Sequence, residues 1–137
     1  MGPMIFFDSG AWIALSVPND QNAKAAQGVY ADTARGAHGR IVTTDFVLDE
    51  AATFVRMATD VPIAASLLRH VTGAPNVTVV WIDATHFADA LTEFEGHRDK
   101  RWSFTDCTSF VVMRDLGIAT AFGFDRNFEQ AGFRRLP

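Results

Sequence analysis

The 137-residue sequence contains one cysteine, Cys107, so it can form no intramolecular disulfide and offers no paired cysteines to a zinc ion. The H-E-x-x-H pattern of zinc proteases is absent, and so is the G-x-G-x-x-G turn of dinucleotide-binding folds. No local motif ties any of the four histidines to Cys107, which we therefore expect to be a quiet, partly buried helical thiol rather than a nucleophile.

Long apolar runs are also missing, since none approaches the roughly 20 residues that a membrane-spanning helix requires. No charged, apolar and small-residue segment typical of a secretion signal opens the chain. Together with the single thiol, this leads us to expect a soluble protein in a reducing cytoplasm. The net charge of −4 argues mildly against a broad basic face for nucleic acid, although an acidic active site would account for that charge.

Core-forming residues are plentiful. Apolar residues make up 48% of the chain, including twelve Phe and three Trp. The length is that of one globular domain, which we expect to span residues 4–137. We interpret residues 1–3 as possible expression-derived residues before a native start at Met4.

Short apolar runs alternate with longer helical patterns along the chain. The runs predict strands at residues 4–7, 40–43, 77–82 and 118–122. The helical patterns cover residues 11–16, 23–34, 46–58, 62–71, 84–95 and 105–116. Strands that are apolar on both faces suit a parallel sheet covered by helices. The sequence therefore predicts an α/β fold, a three-layer α/β/α sandwich around a mostly parallel sheet of about five strands.

Four carboxylates stand in apolar contexts where a strand ends or a helix begins: Asp8, Glu50, Asp106 and Asp125. Asp8 directly follows the first predicted strand, and two residues separate Asp125 from the last one, so both should share the sheet edge where ligands collect. At about 100° per residue, Glu50 falls on the margin of a predicted buried stripe that includes Phe54, and Asp106 falls on the apolar side of its helix. We therefore expect Glu50 and Asp106 to face inward.

Each acid has a purely structural alternative. Asp8 could form a turn, Asp125 could cap a short helix, and residues 103–106 have the S-x-x-D form of a capping box. Capping explains neither the inward azimuth of Glu50 nor the convergence of the strand-end acids. Two carboxylates about 4 Å apart repel by ~4 kcal/mol at an effective dielectric of 20, so a cluster of acids must either bind a cation or take up protons.

The segments around these acids resemble a known family. DSGAWIAL follows the first strand, SFTDCTSFVVMRDLGI surrounds the third acid, and FDRNFEQAGF surrounds the fourth. In this order they resemble the PIN domain, and more narrowly the VapC toxins of bacterial toxin–antitoxin pairs, over about residues 4–136. The chain departs from the usual pattern at Gly10 and Gly123, where family members often carry a hydroxyl residue.

The resemblance implies a PIN-like fold and an endoribonuclease that depends on Mg²⁺ or Mn²⁺ and cleaves loops of transfer RNA or ribosomal RNA. Oxygen ligands suit these ions. All four carboxylates are candidate catalytic residues. Asp8, Asp106 and Glu50 are the expected main metal ligands, directly or through water, and Asp125 is expected to complete the site or orient water. The hydroxyls of Ser9 and Thr105 are candidates for hydrogen bonds that orient these ligands.

A basic and aromatic segment precedes the third acid. We expect Arg98, Lys100 and Arg101 to supply positive charge for RNA, and Trp102 to supply a stacking ring. The alternative is a solvated surface. Asp99 is a less favoured candidate for the site, because its basic neighbours favour a position on the solvated surface.

The resemblance also implies protein partners: a small antitoxin that holds the toxin inactive, and a second copy in a homodimer. Trp12, Ile13 and Leu15 are candidates for such surfaces, with burial in the monomer core as the alternative. The competing functional class is a non-catalytic module of the same fold, which holds a cation or a protein partner. It would predict the loss of one or more acids, and all four are present.

Overall fold

In residues 2–137, the part of the chain that the computed structural model describes, five short strands alternate with seven helices. The strands are β1 (Met4–Phe7), β2 (Arg40–Thr44), β3 (Val77–Val80), β4 (Thr120–Phe122) and β5 (Arg134–Leu136). The helices are α1 (Ser9–Ser16), α2 (Ala23–Ala34), α3 (Asp45–Ala58), α4 (Val61–Gly73), α5 (Ala84–Gly96), α6 (Phe104–Leu116) and α7 (Asn127–Gln130).

All neighbouring strands pair in parallel, in the order β3-β2-β1-β4-β5. The predicted α/β class with a central sheet of about five strands is confirmed, and the sheet is entirely parallel. β1 lies at its centre, and Ile5, Phe6 and Phe7 are completely buried. Phe7 packs edge-on against Phe122 of β4, with ring centroids 4.7 Å apart. Such burial on both faces explains why β1 is apolar at every position.

The edge strand β5 has no counterpart among the four predicted strands. Its sequence, Arg-Arg-Leu, is short and polar, and it forms because Arg134 and Leu136 pair in register with the two ends of β4. β3 and β4 are shorter than the predicted ranges 77–82 and 118–122, whereas α1 begins two residues earlier than predicted. Element type was thus predictable for the longer patterns, and element ends were not.

Helix α3 turns a different face to the core from the one predicted. Val47, Ala51 and Val55 are completely buried, but Phe54 is 52% exposed and Met57 is 79% exposed. The expectation that Phe54 belongs to the buried stripe is therefore wrong. The buried arc is centred on Ala51, which leaves Phe54 and Met57 on the solvent side of the helix.

Pro3 contacts the turn that leads into β2. Its carbonyl accepts a hydrogen bond from the Arg40 amide (3.0 Å), and a Cβ added at Gly39 would lie 2.1 Å from that same carbonyl oxygen. The interpretation of residues 1–3 as an addition before the native start stays a prediction, and Met1 lies outside the described residues. Within residues 2–137 no helix is both long and apolar enough to cross a membrane.

Gly39 should be far less tolerant of alanine than Gly36. Both have a positive φ, +79° and +86°, which costs an alanine about 1 kcal/mol. Only Gly39 has a neighbour within 4 Å, the Pro3 backbone, so a methyl group there also forces a backbone shift that adds roughly 1–3 kcal/mol. Urea unfolding of Gly39→Ala beside Gly36→Ala measures the difference. Equal losses of stability would contradict the contact with Pro3.

Candidate active site

Asp8 stands where the order of the strands reverses, at the carboxyl end of β1. Its amide donates to the Phe122 carbonyl at the end of β4 (2.9 Å), and its carbonyl accepts from the Ala11 amide (3.1 Å) as α1 begins. The Asp8 side chain makes no capping hydrogen bond, although the residue occupies the N-cap position. The carboxylate is therefore placed by the backbone at the edge where open parallel sheets bind ligands.

Asp106 lies in the first turn of α6 and is 7% exposed. Its Oδ2 atom accepts from the Ser103 amide (3.0 Å) and from Asn127 Nδ2 (2.9 Å), while its own amide donates to Ser103 Oγ (3.0 Å). The capping box seen in the sequence is thus real. The capping box does not prevent Asp106 from serving in the pocket, since it uses one oxygen of the carboxylate and leaves the other free.

Glu50 reaches the pocket from the outer side of α3. Its Oε1 atom accepts a 2.6 Å hydrogen bond from Ser9 Oγ. The expectation that Glu50 faces inward is corrected, because the residue is exposed and the buried arc of α3 lies on another face. Thr105 lines the groove next to Ser9 and Glu50, and among residues 2–137 its hydroxyl forms no hydrogen bond.

Asp125 is exposed in the loop between β4 and α7. Its Oδ1 atom accepts from the Asn127 amide (3.0 Å), and its Oδ2 atom accepts from Asn127 Nδ2 (3.2 Å). Asn127 was not predicted as a site residue, although it links two of the predicted acids. The available signal was its position in the F-D-R-N-F segment, two residues after the fourth acid.

The four carboxylates line one open pocket of about 700 Å³. Its other lining residues are Ser9, Gly10, Ile13, Arg101, Ser103, Phe124, Arg126 and Asn127. In the described part of the chain, no three or more His, Cys, Asp or Glu side chains are arranged to hold a metal ion. The acids therefore share a pocket without forming a closed cage of ligands.

Burial raises the pKa of Asp8 from its ordinary value of 3.8 to about 8. The nearby backbone N–H of Ser9 opposes this shift in pKa, and the negative charges of Asp106, Glu50 and Asp125 add to it. Burial likewise raises the pKa of Asp106, against hydrogen bonds from Ser103 and Asn127. The ionised forms of both acids are therefore unfavourable unless a positive charge compensates.

The Oδ1 atom of Asp8 is buried and has no hydrogen-bond partner among residues 2–137. An unpartnered carboxylate oxygen close to three further acids fits a divalent cation, because the donor set consists of the hard oxygens that Mg²⁺ and Mn²⁺ prefer.

Gly123 explains part of this arrangement. A Cβ added there would lie 3.1 Å from Asp8 Cβ and 3.5 Å from Asp8 Oδ2, so any side chain would press on the carboxylate. With glycine in place of the family's frequent hydroxyl residue, position 123 offers Asp8 no side-chain donor. At Gly10 the nearest atoms to an added Cβ, those of Phe124, lie at an ordinary 3.6 Å.

The basic segment before α6 is divided between two cavities. Arg101 lines the acidic pocket, whereas Arg98 and Lys100 line a neighbouring cavity that does not include any of the four acids. Asp99 is exposed and pairs with Lys100 (3.3 Å), and this contact lowers the pKa of its carboxyl. Asp99 accordingly lies on the surface and not in the site.

The expectation that Trp102 offers a stacking ring to RNA is wrong. Trp102 is 7% exposed, its Nε1 atom donates to Gln130 Oε1 (3.1 Å), and its ring packs edge-on against Phe110 with centroids 5.0 Å apart. Because the ring is already covered by the core, no base can stack on it.

Two further expectations about single residues are settled by burial. Trp12 is 2% exposed, and its Nε1 atom donates to Thr43 Oγ1 (3.2 Å), so it belongs to the core and also lines the groove that includes Leu15. Ile13 and Leu15 are half-buried. Cys107 is completely rather than partly buried, and burial raises the pKa of its thiol to about 11, which agrees with the expected low reactivity.

The sheet is parallel, and the acids lie at the edge where its strand order reverses. This arrangement is that of an open α/β fold that binds ligands at this edge, the fold class that the sequence motifs indicated. A family model described as PIN domain matches residues 5–134, and the chain belongs to this family. It is 33% identical over 132 residues, 95% of either chain, to the 23S rRNA-specific endonuclease VapC20 of two Mycobacterium tuberculosis strains. The predicted resemblance to PIN domains and VapC toxins is thus confirmed.

Solved structures agree with this assignment. The crystal structure of VapC20 from Mycobacterium tuberculosis, a toxin that cleaves the sarcin-ricin loop, matches with a TM-score of 0.87 and 29% identity over 94% of this chain and 95% of that one. VapBC2 from Rickettsia felis, bound to a DNA fragment from its promoter, matches with a TM-score of 0.68 at 11% identity, covering 96% of both chains. FitAcB from Neisseria gonorrhoeae matches with a TM-score of 0.66 at 13% identity, covering 98% of this chain and 97% of that one. At such low identity the last two share the fold alone.

The ionisation of Asp8 should make stability depend on pH. Between pH 4 and pH 8 the unfolded chain releases the Asp8 proton and the folded protein keeps it. The contribution of Asp8 to the free energy of unfolding is therefore fully present below pH 4 and is lost as pH rises towards 8. Asp8→Asn removes the ionisable group. In EDTA, we expect this variant to gain little stability at pH 4 and up to roughly 5 kcal/mol at pH 8, since one pKa unit corresponds to ~1.4 kcal/mol.

Urea unfolding at several pH values measures this dependence, with the exposed Asp89→Asn as the matched control. A difference between Asp8→Asn and the parent protein that does not change with pH would contradict the raised pKa.

Proposed function

We propose that the protein is a divalent-metal-dependent endoribonuclease and acts in the cytoplasm as the toxin of a toxin–antitoxin pair. The observation that carries this proposal is the unpartnered, buried Oδ1 atom of Asp8, whose charge is opposed by those of Asp106, Glu50 and Asp125. Membership of the PIN family and 33% identity to an endonuclease over 95% of the chain support the nuclease class.

Asp8 and Asp106 are the residues best placed to hold the cation, with Glu50 and Asp125 binding directly or through water. Asp8 and Asp106 each have a carboxylate oxygen without a hydrogen bond inside the described range, 2–137. Mg²⁺ is the first choice, because this ion is bound through one or two protein carboxylates and keeps several of its waters. Mn²⁺ has the same ligand preference.

The remaining side chains prepare the pocket for hydrolysis. A bound divalent cation supplies positive charge that acidifies water and stabilises the leaving oxygen of a phosphodiester. Ser9 fixes the Glu50 carboxylate through the 2.6 Å hydrogen bond. We propose that the exposed carboxylate of Asp125 orients the attacking water at the rim of the pocket.

An RNA loop is the proposed substrate. VapC20 is specific for 23S rRNA and cleaves the sarcin-ricin loop, so a ribosomal RNA loop is the first candidate and a transfer RNA loop the second. The pocket is open and about 700 Å³ in volume, which suits a backbone whose bases are splayed apart.

Two apolar surfaces support the proposed protein partners. We propose an antitoxin and a second copy of the chain as partners, and the candidate contact surfaces are the groove whose lining includes Trp12, Leu15 and Tyr30 and the exposed apolar side chains of α3 and α5. The side chains of this second surface are Phe54, Met57, Phe87, Leu91 and Phe94.

Cleavage by the purified, antitoxin-free protein should require both the metal and the buried acids. We expect discrete fragments from a hairpin of the sarcin-ricin type with Mg²⁺ or Mn²⁺. EDTA, Asp8→Asn or Asp106→Asn should lower the rate by about 10² or more, because a catalytic metal contributes several kcal/mol. Asp89→Asn, an exposed acid of α5, is the matched control.

Total cellular RNA in a parallel reaction tests other target loops. If no RNA is cut in a metal-dependent way, or if the two variants cut as well as the parent protein, the nuclease proposal fails and the non-catalytic module is favoured.

Arg101 should contribute more to RNA binding than its basic neighbours do. It lines the acidic pocket, whereas Arg98 and Lys100 line the next cavity. We expect Arg101→Ala to raise KM about tenfold with a small change in kcat and to reduce the salt dependence of binding by roughly one phosphate contact. Arg98→Ala and Lys100→Ala should change KM by less than about twofold. Similar losses for all three variants would support a broad basic surface instead.

A further inference from the structure

Asp106 and Asp125 are two like charges that come from different parts of the fold. Asp106 belongs to α6, and Asp125 belongs to the loop after β4. Both carboxylates lie within hydrogen-bond distance of the same nitrogen atom, Nδ2 of Asn127, so they are close neighbours. Something must hold this pair together in the absence of a cation.

The side chain of Asn127 bridges the pair. Its Nδ2 atom donates to Asp106 Oδ2 at 2.9 Å and to Asp125 Oδ2 at 3.2 Å. A side-chain amide carries two N–H donors, so each carboxylate receives one of them. Both neighbours are acceptors, and this fixes the orientation of the amide, because its carbonyl oxygen would be repelled at either position.

The short helix α7 anchors this amide. Phe128, the next residue, is completely buried, with its ring centroid 5.1 Å from that of Phe110 in α6 and 6.2 Å from that of Phe6 in β1. The backbone N–H of Asn127 also donates to Asp125 Oδ1 (3.0 Å). The bridge is therefore tied at one end to the core and at the other to the rim of the pocket.

The bridge also determines which oxygen of Asp106 is free. Oδ2 already accepts two hydrogen bonds, one from the Ser103 amide and one from Asn127. Oδ1 accepts none within residues 2–137. An oxygen that receives two N–H donors is a poor ligand for a cation, whereas a free one can bind it.

We propose that Asn127 is a positioning residue: it holds Asp106 and Asp125 at a fixed separation and leaves Oδ1 of Asp106 free to bind the divalent cation. This inference rests on the proposed function. It assigns Asn127 no contact with the reacting phosphate, and it explains how two carboxylates on separate elements act as one unit.

The test measures Mn²⁺ binding by electron paramagnetic resonance, together with cleavage of the RNA hairpin. We expect Asn127→Ala to weaken Mn²⁺ binding about 10- to 100-fold, the usual effect of removing a partner that orients a metal ligand. It should lower kcat with little change in KM for RNA, since Asn127 does not bind the substrate. Gln130→Ala is the matched control. It removes a side-chain amide from the same helix, but this amide bonds to Trp102 and not to either acid.

A second variant, Asn127→Asp, keeps the shape of the side chain but replaces the donor with an acceptor. We expect it to lose cleavage as Asn127→Ala does, and thermal unfolding verifies that all three variants are folded. Wild-type Mn²⁺ affinity in Asn127→Ala, wild-type cleavage by Asn127→Asp, or an equal loss in Gln130→Ala would each overturn the positioning role while leaving the nuclease proposal intact. A parent protein that neither binds Mn²⁺ nor cleaves RNA would overturn both.

Discussion

The burial of Asp8 beside three other carboxylates is the constraint on which the pocket depends. A pKa of about 8 instead of 3.8 corresponds to roughly 6 kcal/mol of unfavourable ionisation, which is comparable to the whole stability of a small domain. The fold tolerates this cost because Asp8 follows the central strand, whose residues Ile5, Phe6 and Phe7 are completely buried. Moving the acid to a solvated position would remove the cost, but it would also weaken the attraction for the proposed cation. The core thus stabilises a site that is unfavourable by itself.

Hydrogen-bond donors are distributed unequally among the four acids. Ser9 donates to Glu50, Asn127 donates to Asp125, and Asp106 receives donors from both Ser103 and Asn127. Among these four acids, only Asp8 has a buried oxygen that lacks a partner in the described part of the chain. The acid that is most costly to ionise is therefore the one that the protein compensates least, which is the arrangement expected where an ion completes the site. Gly123 contributes to it, since a side chain at this position would press on Asp8.

Topology and local pattern made much of the site predictable. Asp8 and Asp125 follow strands, so a parallel sheet brings them to one edge, and the S-x-x-D pattern places Asp106 in the first turn of a helix. Contacts between distant residues were not predictable. Trp102 lies among basic residues in the sequence, but Phe110 and Gln130 cover it in the fold. The strand β5 depends on pairing with β4, because a run of Arg-Arg-Leu has no strand pattern of its own. The face of α3 was misplaced because Leu48, rather than Phe54, is buried, and this choice depends on the neighbouring helices.

The exposure of the acids argues for catalysis over simple cation binding. Asp8 and Asp106 are 4% and 7% exposed, whereas Glu50 and Asp125 are open to solvent. A module that only holds an ion gains nothing from two acids at the rim, since exposed carboxylates bind a cation weakly in competition with water. A nuclease needs both kinds: buried acids that hold the metal, and accessible ones that meet the water and the phosphodiester. Likeness of fold at 11% to 13% identity could not make this distinction, because the same sheet can carry many functions. The gradient from buried to exposed acids favours the proposed nuclease over an ion-holding module, since it would give the pocket an inner side for a cation and an outer side for RNA.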